Sequence, residues 1–163
     1  MKIGVITVSD RCFRGECEDG SGPAIFDCLR DLCEVSEFRT VPDEKELISA
    51  AIIELSDSFG ADVIFTTGGT GFAPRDVTPE ATKAVIEKDV PGISEAIRAK
   101  SLEITDRAML SRAVSGIRGK TLIVNLPGSP KAVRENLEIL LPALGHGIEI
   151  LAGAATNCAV PEK

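Results

Sequence analysis

Residues 63–80 read VIFTTGGTGFAPRDVTPE, and this stretch is the most informative part of the chain. It begins as an apolar, β-rich run and ends in residues that favour a helix. Between them, Gly68, Gly69 and Gly71 allow the backbone to turn sharply and to approach a ligand without a Cβ atom in the way. Free backbone N–H groups in such a turn can cradle a phosphate. We therefore predict a site loop, followed by Asp76, a carboxylate placed to hold a metal ion or orient a phosphate-bearing substrate.

The same alternation of strand and helix continues along the rest of the chain. Short runs of β-branched or large apolar residues, bounded by turn residues, predict four buried strands: Lys2–Val8, Val35–Val41, Asp62–Thr67 and Thr121–Leu126. Apolar residues at helical spacing fill residues 25–33, 48–55 and 133–141, the last after Pro130 in a first helical turn. This alternation implies a mainly parallel sheet covered on both faces. We predict one α/β domain over residues 1–163.

Two segments are less regular. Arg112 to Ile117 is predicted to be an extra strand or an irregular hairpin. The tail from Ala152 onward is small and polar, and we expect it to fray.

Polar or glycine-bearing segments follow each of the four predicted strands. They are Ser9-Asp10, Pro42-Asp43-Glu44, residues 68–76 and Asn125-Leu126-Pro127-Gly128-Ser129. Because ligands of open parallel sheets bind beyond the carboxyl ends of the strands, we expect these segments to converge on one site. Asp43 and Asp76 could there hold Mg²⁺, which prefers oxygen ligands and is often shared with substrate phosphates. The alternative is that each aspartate only caps the helix that follows it, with Thr78 competing for the second cap.

Composition excludes several classes of protein. Eighteen Lys plus Arg against 25 Asp plus Glu give a net charge of -7, which argues against nucleic-acid and anionic-membrane partners. No segment approaches the roughly 20 apolar residues of a membrane helix, so we expect a cytoplasmic protein. Five cysteines without a C-x-x-C pair predict core thiols rather than disulfides or zinc ligands. The single histidine, His146, lies between two glycines and is expected at the surface or in a turn, which nearly excludes histidine catalysis.

Several motifs of the chain resemble those of one known family. Thr67-Gly68-Gly69-Thr70-Gly71-Phe72-Ala73-Pro74-Arg75-Asp76-Val77-Thr78-Pro79-Glu80-Ala81-Thr82 is similar to the signature of the molybdopterin adenylyltransferase family, which includes the bacterial MogA-type proteins and the G domains of gephyrin. The resemblance continues, in the same order, at Thr7-Val8-Ser9-Asp10, Val41-Pro42-Asp43-Glu44, Ala108-Met109-Leu110-Ser111-Arg112 and Asn125-Leu126-Pro127-Gly128-Ser129-Pro130. It spans nearly the whole chain.

This resemblance implies a three-layer α/β sandwich around a mostly parallel sheet, usually assembled as a homotrimer. It also implies an enzyme that transfers AMP from ATP to the terminal phosphate of molybdopterin, with Mg²⁺ present and pyrophosphate released. The adenylylated product would pass to a partner enzyme that inserts molybdate.

The resemblance assigns roles to particular residues. Asp43 and Asp76 would be catalytic and would also hold Mg²⁺. The nucleotide would contact Gly68, Gly69, Thr70, Gly71 and Asp10. The pterin would contact Ser101, Ser111, Arg112, Asn125, Pro127 and Gly128.

Two other functions remain open from the sequence. A catalytically silent MoaB-like relative would bind the pterin or act as a scaffold without releasing pyrophosphate. A generic nucleotidyltransferase would use the same glycine loop and carboxylates, because neither feature identifies a pterin.

Overall fold

The computed structural model describes residues 1–154. The strands are β1 (Lys2–Val8), β2 (Val35–Val41), β3 (Val63–Thr67), β4 (Lys88–Asp89), β5 (Ser115–Arg118) and β6 (Thr121–Leu126). The helices are α1 (Asp10–Phe13), α2 (Ser21–Leu29), α3 (Lys45–Ile53), α4 (Thr78–Lys83), α5 (Pro91–Ser101) and α6 (Pro130–Ala152). Residues 155–163, and with them most of the tail predicted to fray, lie outside the described residues.

The strands form one six-stranded sheet in the order β2-β1-β3-β6-β5-β4. The four strands predicted from the sequence are its parallel part, and β4 and β5 extend it in the antiparallel direction. The uncertain segment at Arg112 to Ile117 contains a strand, but that strand is β5, which begins at Ser115 and forms a hairpin with β6. The hairpin turns at Gly119, whose φ of 55° favours glycine.

Helices cover both faces of the sheet. Alternate residues of a strand point to opposite faces, so Val5 and Phe65 lie in one apolar core and Ile6 and Ile64 lie in the other. Helices α2, α5 and α6 supply apolar side chains to the first core, and α3 and α4 supply them to the second. The predicted three-layer α/β architecture is therefore confirmed.

Helix α6 begins where the sequence predicts. The Ser129 hydroxyl accepts a hydrogen bond from the Ala132 N–H at 3.1 Å, and Pro130 occupies the first helical position. His146 lies exposed within this helix rather than in a turn. No helix in residues 1–154 is long and apolar enough to cross a membrane.

A buried asparagine ties the sheet to helix α4. Asn125 on β6 is 1% exposed, and its Nδ2 donates to the hydroxyls of Thr66 and Thr82, each at 2.9 Å. Its Oδ1 accepts from the Val114 N–H at 3.2 Å. One side chain thus links β3, β6, α4 and the segment before β5, directly beneath the carboxyl edge of the sheet.

Replacing this side chain should destabilise the fold. Asn125→Ala leaves two hydroxyls and one N–H without their partner and opens a cavity, so we expect a loss of about 2–4 kcal/mol in the free energy of unfolding. Urea denaturation measures this loss. The control Glu138→Ala, at an exposed position of α6, should change stability by less than about 0.5 kcal/mol. A similarly small change for Asn125→Ala would show that the network contributes little.

Candidate functional site

The four predicted loops meet at one edge of the sheet. Parallel pairing aligns Thr7 with Thr67 and Thr67 with Leu126, so the carboxyl ends of β1, β3 and β6 lie side by side. The Ser9 N–H donates to the Val41 carbonyl at 2.9 Å, which joins the ends of β1 and β2. The Thr67 hydroxyl donates to the Pro127 carbonyl at 2.7 Å. The four segments that follow the parallel strands thus lie together at one edge of the sheet, as the sequence predicts.

The glycine loop needs its glycines for steric reasons. Gly68 and Gly69 have φ angles of 97° and 63°, which side-chain-bearing residues rarely adopt. A Cβ atom on Gly68 would overlap the Val8 carbonyl oxygen, and one on Gly69 would overlap the Thr78 hydroxyl. That hydroxyl donates to the Gly68 carbonyl at 2.9 Å. Thr78 therefore holds the loop in place. It does not cap α4, although the sequence suggested that it could.

Asp76 likewise stabilises the loop rather than helix α4. Its Oδ2 accepts from the Ala73 N–H at 3.0 Å, and the residue at the N-cap of α4 is Val77. The same Oδ2 lies 2.9 Å from the position that a Cβ atom on Gly71 would occupy. The carboxylate thus stands against the third glycine of the loop.

Asp10 and Asp43 are joined by two reciprocal hydrogen bonds. The Asp10 N–H donates to Asp43 Oδ2 at 2.8 Å, and the Asp43 N–H donates to Asp10 Oδ1 at 3.1 Å. Arg75 reaches from the glycine loop and donates to both oxygens of Asp10, at 3.0 and 2.8 Å. Helix α3 has Glu44 at its N-cap, with no side-chain cap, so the helix-capping reading of Asp43 is wrong.

The electrostatic environments of these two carboxylates differ. The Arg75 guanidinium lowers the pKa of Asp10, helped by the Asp43 N–H and opposed by partial burial. Burial raises the pKa of Asp43, and the negative charges of Asp10 and Asp76 act in the same direction. The hydrogen bond from the Asp10 N–H and the charge of Arg75 lower this pKa, but the net shift is upward. Arg75 therefore compensates Asp10, while Asp43 faces two acidic neighbours with less compensation.

The carboxylates fit a cation that is shared with substrate. Asp43 Oδ1 lies 3.2 Å from the position of a Cβ atom on Gly69, so Asp43 and Asp76 both present oxygens to the glycine loop. Residues 1–154 contain no group of three or more His, Cys, Asp or Glu side chains that could hold a metal ion by themselves. Mg²⁺ is commonly bound by one or two carboxylates together with substrate phosphates, and this pair matches that pattern.

Two cavities flank the glycine loop. The first, here called the α5 cavity, has a volume of about 280 Å³ and borders Thr70 and Gly71. Its other lining residues include Ser101, Ser111 and Pro127, three of the predicted pterin contacts. The second, the α2 cavity, has a volume of about 410 Å³, and its lining includes Ser9, Thr67, Gly68, Asp19 and Gly128. Gly128, a predicted pterin contact, thus lines the α2 cavity, whereas Thr70 and Gly71, predicted nucleotide contacts, line the α5 cavity.

Two other predicted pterin residues lie behind the loop. Arg112 donates from Nε to the Gly71 carbonyl at 2.7 Å and from Nη2 to the Asp76 carbonyl at 2.5 Å, and its Nη1 pairs with Glu80. Asn125 is enclosed in the network described above. Arg112 thus holds the loop in place, whereas Asn125 bonds to β3, α4 and the segment before β5. Direct contact of either side chain with a pterin stays a prediction.

Asn136 is a cavity residue that is not predicted from the sequence. This side chain lies on α6, is 6% exposed and lines the α5 cavity. The available signal was an amide at a core-facing helical position, between Val133 and Leu140 and next to Leu137.

The chain is similar to known proteins in sequence and in structure. A molybdopterin adenylyltransferase of Helicobacter pylori is 46% identical over 156 residues, covering 94% of this chain and 89% of that protein. The Escherichia coli K12 molybdopterin adenylyltransferase is 41% identical over 155 residues, covering 91% and 80%. The crystal structure of the molybdopterin biosynthesis enzyme MoaB from Thermus thermophilus superimposes with a TM-score of 0.88 at 47% identity, covering 93% of this chain and 96% of that one.

The family follows from a match to most of the chain. A family model described as a probable molybdopterin binding domain matches residues 4–146, which include the glycine loop, Asp43, Asp76 and most of the α6 face beside the α5 cavity. The chain belongs to this family of molybdopterin-binding domains, whose members act in molybdenum cofactor biosynthesis.

Proposed function

We propose that the protein is a molybdopterin adenylyltransferase, which transfers AMP from ATP to the terminal phosphate of molybdopterin and releases pyrophosphate. The observation that carries this proposal is the glycine loop, which has a cavity on each side and Asp43 and Asp76 against its backbone. A reaction that joins two phosphate-bearing substrates needs two adjacent sites with shared phosphate binding between them. The names of the relatives at 41–46% identity agree with this chemistry.

The two substrates are assigned to the two cavities by their chemistry. The α5 cavity has apolar walls that include Ile97, Ile104 and Leu110. Serine hydroxyls and the charged side chains of Arg98, Arg107 and Glu135 also line it, and this mixed lining suits a flat heterocycle with polar edges. We assign the pterin to this cavity. The nucleotide then enters from the side of the α2 cavity, next to Ser9 and Gly68. The phosphates of both substrates meet at the loop.

The transfer needs no nucleophile from the protein. A terminal phosphate oxygen of molybdopterin attacks the α-phosphorus of ATP and forms a new P–O bond, while the bond to the β-phosphate bridging oxygen breaks and pyrophosphate leaves. Backbone N–H groups of residues 68–71 orient the phosphates and offset their charge. Asp43 and Asp76 would hold Mg²⁺, which supplies charge neutralisation when bound. Arg75 keeps Asp10 paired, so that Asp10 adds less repulsion against the incoming phosphates.

The remaining features of the proposal come from the family resemblance. We propose a cytoplasmic homotrimer that passes its adenylylated product to a molybdate-inserting partner enzyme. Two large apolar side chains that line the α5 cavity, Ile104 and Leu110, are exposed, and so are Phe72, Leu102 and Met109, which adjoin lining residues in the sequence. Exposed apolar patches are typical of surfaces that another molecule covers. Sedimentation equilibrium measures the subunit number, and a monomer at micromolar concentration would contradict the trimer.

The carboxylates provide the main test of this function. We expect Asp76→Asn and Asp43→Asn each to lower molybdopterin-dependent pyrophosphate release from Mg-ATP by about 100-fold or more, because each removes a charge that neutralises the reacting phosphates through Mg²⁺. The matched control Asp31→Asn, at an exposed position after α2, should retain full activity.

Two results would contradict the proposal in different ways. Activity of Asp76→Asn within a few-fold of wild type would remove Asp76 from the catalytic machinery. Binding of molybdopterin by the wild-type protein without pyrophosphate release would instead identify a silent pterin-binding relative.

The environment of Asp43 predicts a distinct titration. In the ligand-free protein, Asp43 should titrate above the ordinary pKa of 3.8 and Asp10 below it. Because cation binding needs the ionised form, adenylyl transfer should be lost as the pH falls through the pKa of Asp43. Asp10→Asn removes a neighbouring negative charge and frees Arg75, and both changes should lower the pKa of Asp43.

Carbon-13 NMR of labelled aspartate carboxyl groups measures these pKa values directly. Asp31→Asn should leave the Asp43 midpoint unchanged. An Asp43 midpoint at or below its ordinary value, or one that does not fall in Asp10→Asn, would show that burial and acidic neighbours do not control this group.

A further inference from the structure

Asn136 is a buried amide on the core-facing side of helix α6. It lies in the second turn of α6, is 6% exposed, and has Val133, Leu137 and Leu140 as its core-facing neighbours on the helix. An apolar side chain at this position would continue the packing of α6 against the sheet. Burying an amide there is costly unless its polar atoms are used. Both Oδ1 and Nδ2 of Asn136 therefore need hydrogen-bond partners.

One end of the amide is bound to the end of helix α5. The Ser101 hydroxyl donates to Asn136 Oδ1 at 3.0 Å. This bond uses the hydroxyl proton, so the Ser101 oxygen is left with lone pairs that can only accept. Both residues line the α5 cavity. The hydrogen bond therefore gives the serine a fixed role as an acceptor toward the cavity.

The other end of the amide is available to a ligand. No residue in the described part of the chain accepts a hydrogen bond from Asn136 Nδ2, and yet no fully buried polar side-chain atom there lacks a partner. Nδ2 therefore keeps contact with the open space of the α5 cavity. The pair presents an N–H donor on Asn136 beside an oxygen acceptor on Ser101.

This donor and acceptor complement one edge of a pterin. The 2-amino-4-oxo ring of a pterin carries a carbonyl oxygen next to a ring N–H. A carbonyl accepts where Asn136 donates, and the ring N–H donates where Ser101 accepts. The apolar walls at Ile97, Ile104 and Leu110 contact the faces of a flat ring but cannot select its edge. Selection of the edge therefore falls to polar atoms.

We propose that Asn136 and Ser101 together read the carbonyl and N–H edge of the pterin ring in the α5 cavity. Asn136 Nδ2 donates to the ring carbonyl, and Ser101 Oγ accepts from the neighbouring ring N–H. Asn136 is thus a specificity-determining residue, both by its own contact and because it fixes the orientation of the Ser101 hydroxyl. This inference rests on the proposed function for its ligand class.

A pair of ring analogues tests the proposal. 6-Hydroxymethylpterin has the 2-amino-4-oxo edge, whereas the corresponding 2,4-diaminopteridine has an amino donor and an unprotonated ring nitrogen at the same positions. We expect the wild-type protein to bind the pterin at least 10-fold more tightly than the diamino analogue by isothermal titration calorimetry. One unmatched hydrogen-bonding group in a binding site typically accounts for a difference of this size.

Substitution of the pair should remove this preference. Asn136→Asp retains an acceptor for the Ser101 hydroxyl but loses the donor, so we expect pterin affinity to fall 10-fold or more and the preference to shift toward the diamino analogue. Ser101→Ala removes the acceptor and should also reduce the preference, which keeps the proposal testable if Asn136→Asp fails to fold. Glu138→Gln, on the exposed face of α6, is the matched control and should bind both compounds as the wild type does.

The outcomes separate this inference from the proposed function. An unchanged preference in folded Asn136→Asp and Ser101→Ala would overturn the inference, even where the wild type releases pyrophosphate with molybdopterin and Mg-ATP. A preference that depends on the pair, without pyrophosphate release by the wild type, would support the inference and overturn adenylyl transfer. A wild-type protein that binds neither compound, or binds both equally, would overturn the inference as well.

Discussion

The close approach of the glycine loop to the end of β1 is the constraint on which the site depends. Gly68 lies against the Val8 carbonyl oxygen, and Gly69 lies against the hydroxyl of Thr78, so neither position has room for a side chain. This contact brings the loop down onto the carboxyl edge of the sheet, within reach of the residues that follow β2 and β6. Asp76 then faces Gly71, and Arg112 fastens the loop from behind. The loop is therefore rigid because of its surroundings, although it is rich in glycine.

An acidic protein that binds two anionic substrates must manage local repulsion. The net charge is -7, and three aspartates stand at the site itself. The ion pair of Arg75 with Asp10 reduces this repulsion, and it leaves Asp43 and Asp76 as the carboxylates available to a cation. The backbone N–H groups of the loop reduce the repulsion as well, because they offer partial positive charge without a side chain. Substrate binding is in this way tied to the cation, because the protein alone does not neutralise the phosphates.

The sequence predicts the parts of this structure that depend on local patterns. The four parallel strands and the start of α6 follow from runs of β-branched residues and from Ser129-Pro130, and all are found where expected. The edge strand β4 consists of Lys88 and Asp89, and no apolar pattern marks it because its residues are exposed. The bonds between Asp10 and Asp43 join residues 33 positions apart, and their donors are backbone N–H groups, which every residue type except proline supplies. Such contacts depend on tertiary geometry and leave no local signal.

The placement of amides shows why side-chain chemistry alone does not define a site. Asn125 lies near the end of the buried strand β6, beside the predicted site, yet its side-chain hydrogen bonds are all made to protein groups. Asn136 lies in the middle of an apolar helical face and keeps one polar group for the cavity. The two residues have the same side chain and nearly the same burial. What distinguishes them is whether the surrounding fold supplies partners for every donor and acceptor, because a group that the fold leaves unpaired can be satisfied only by water or a ligand. The hydrogen-bond partners in the folded chain therefore distinguish the structural role of Asn125 from the ligand-binding role proposed for Asn136, and the residue type alone does not.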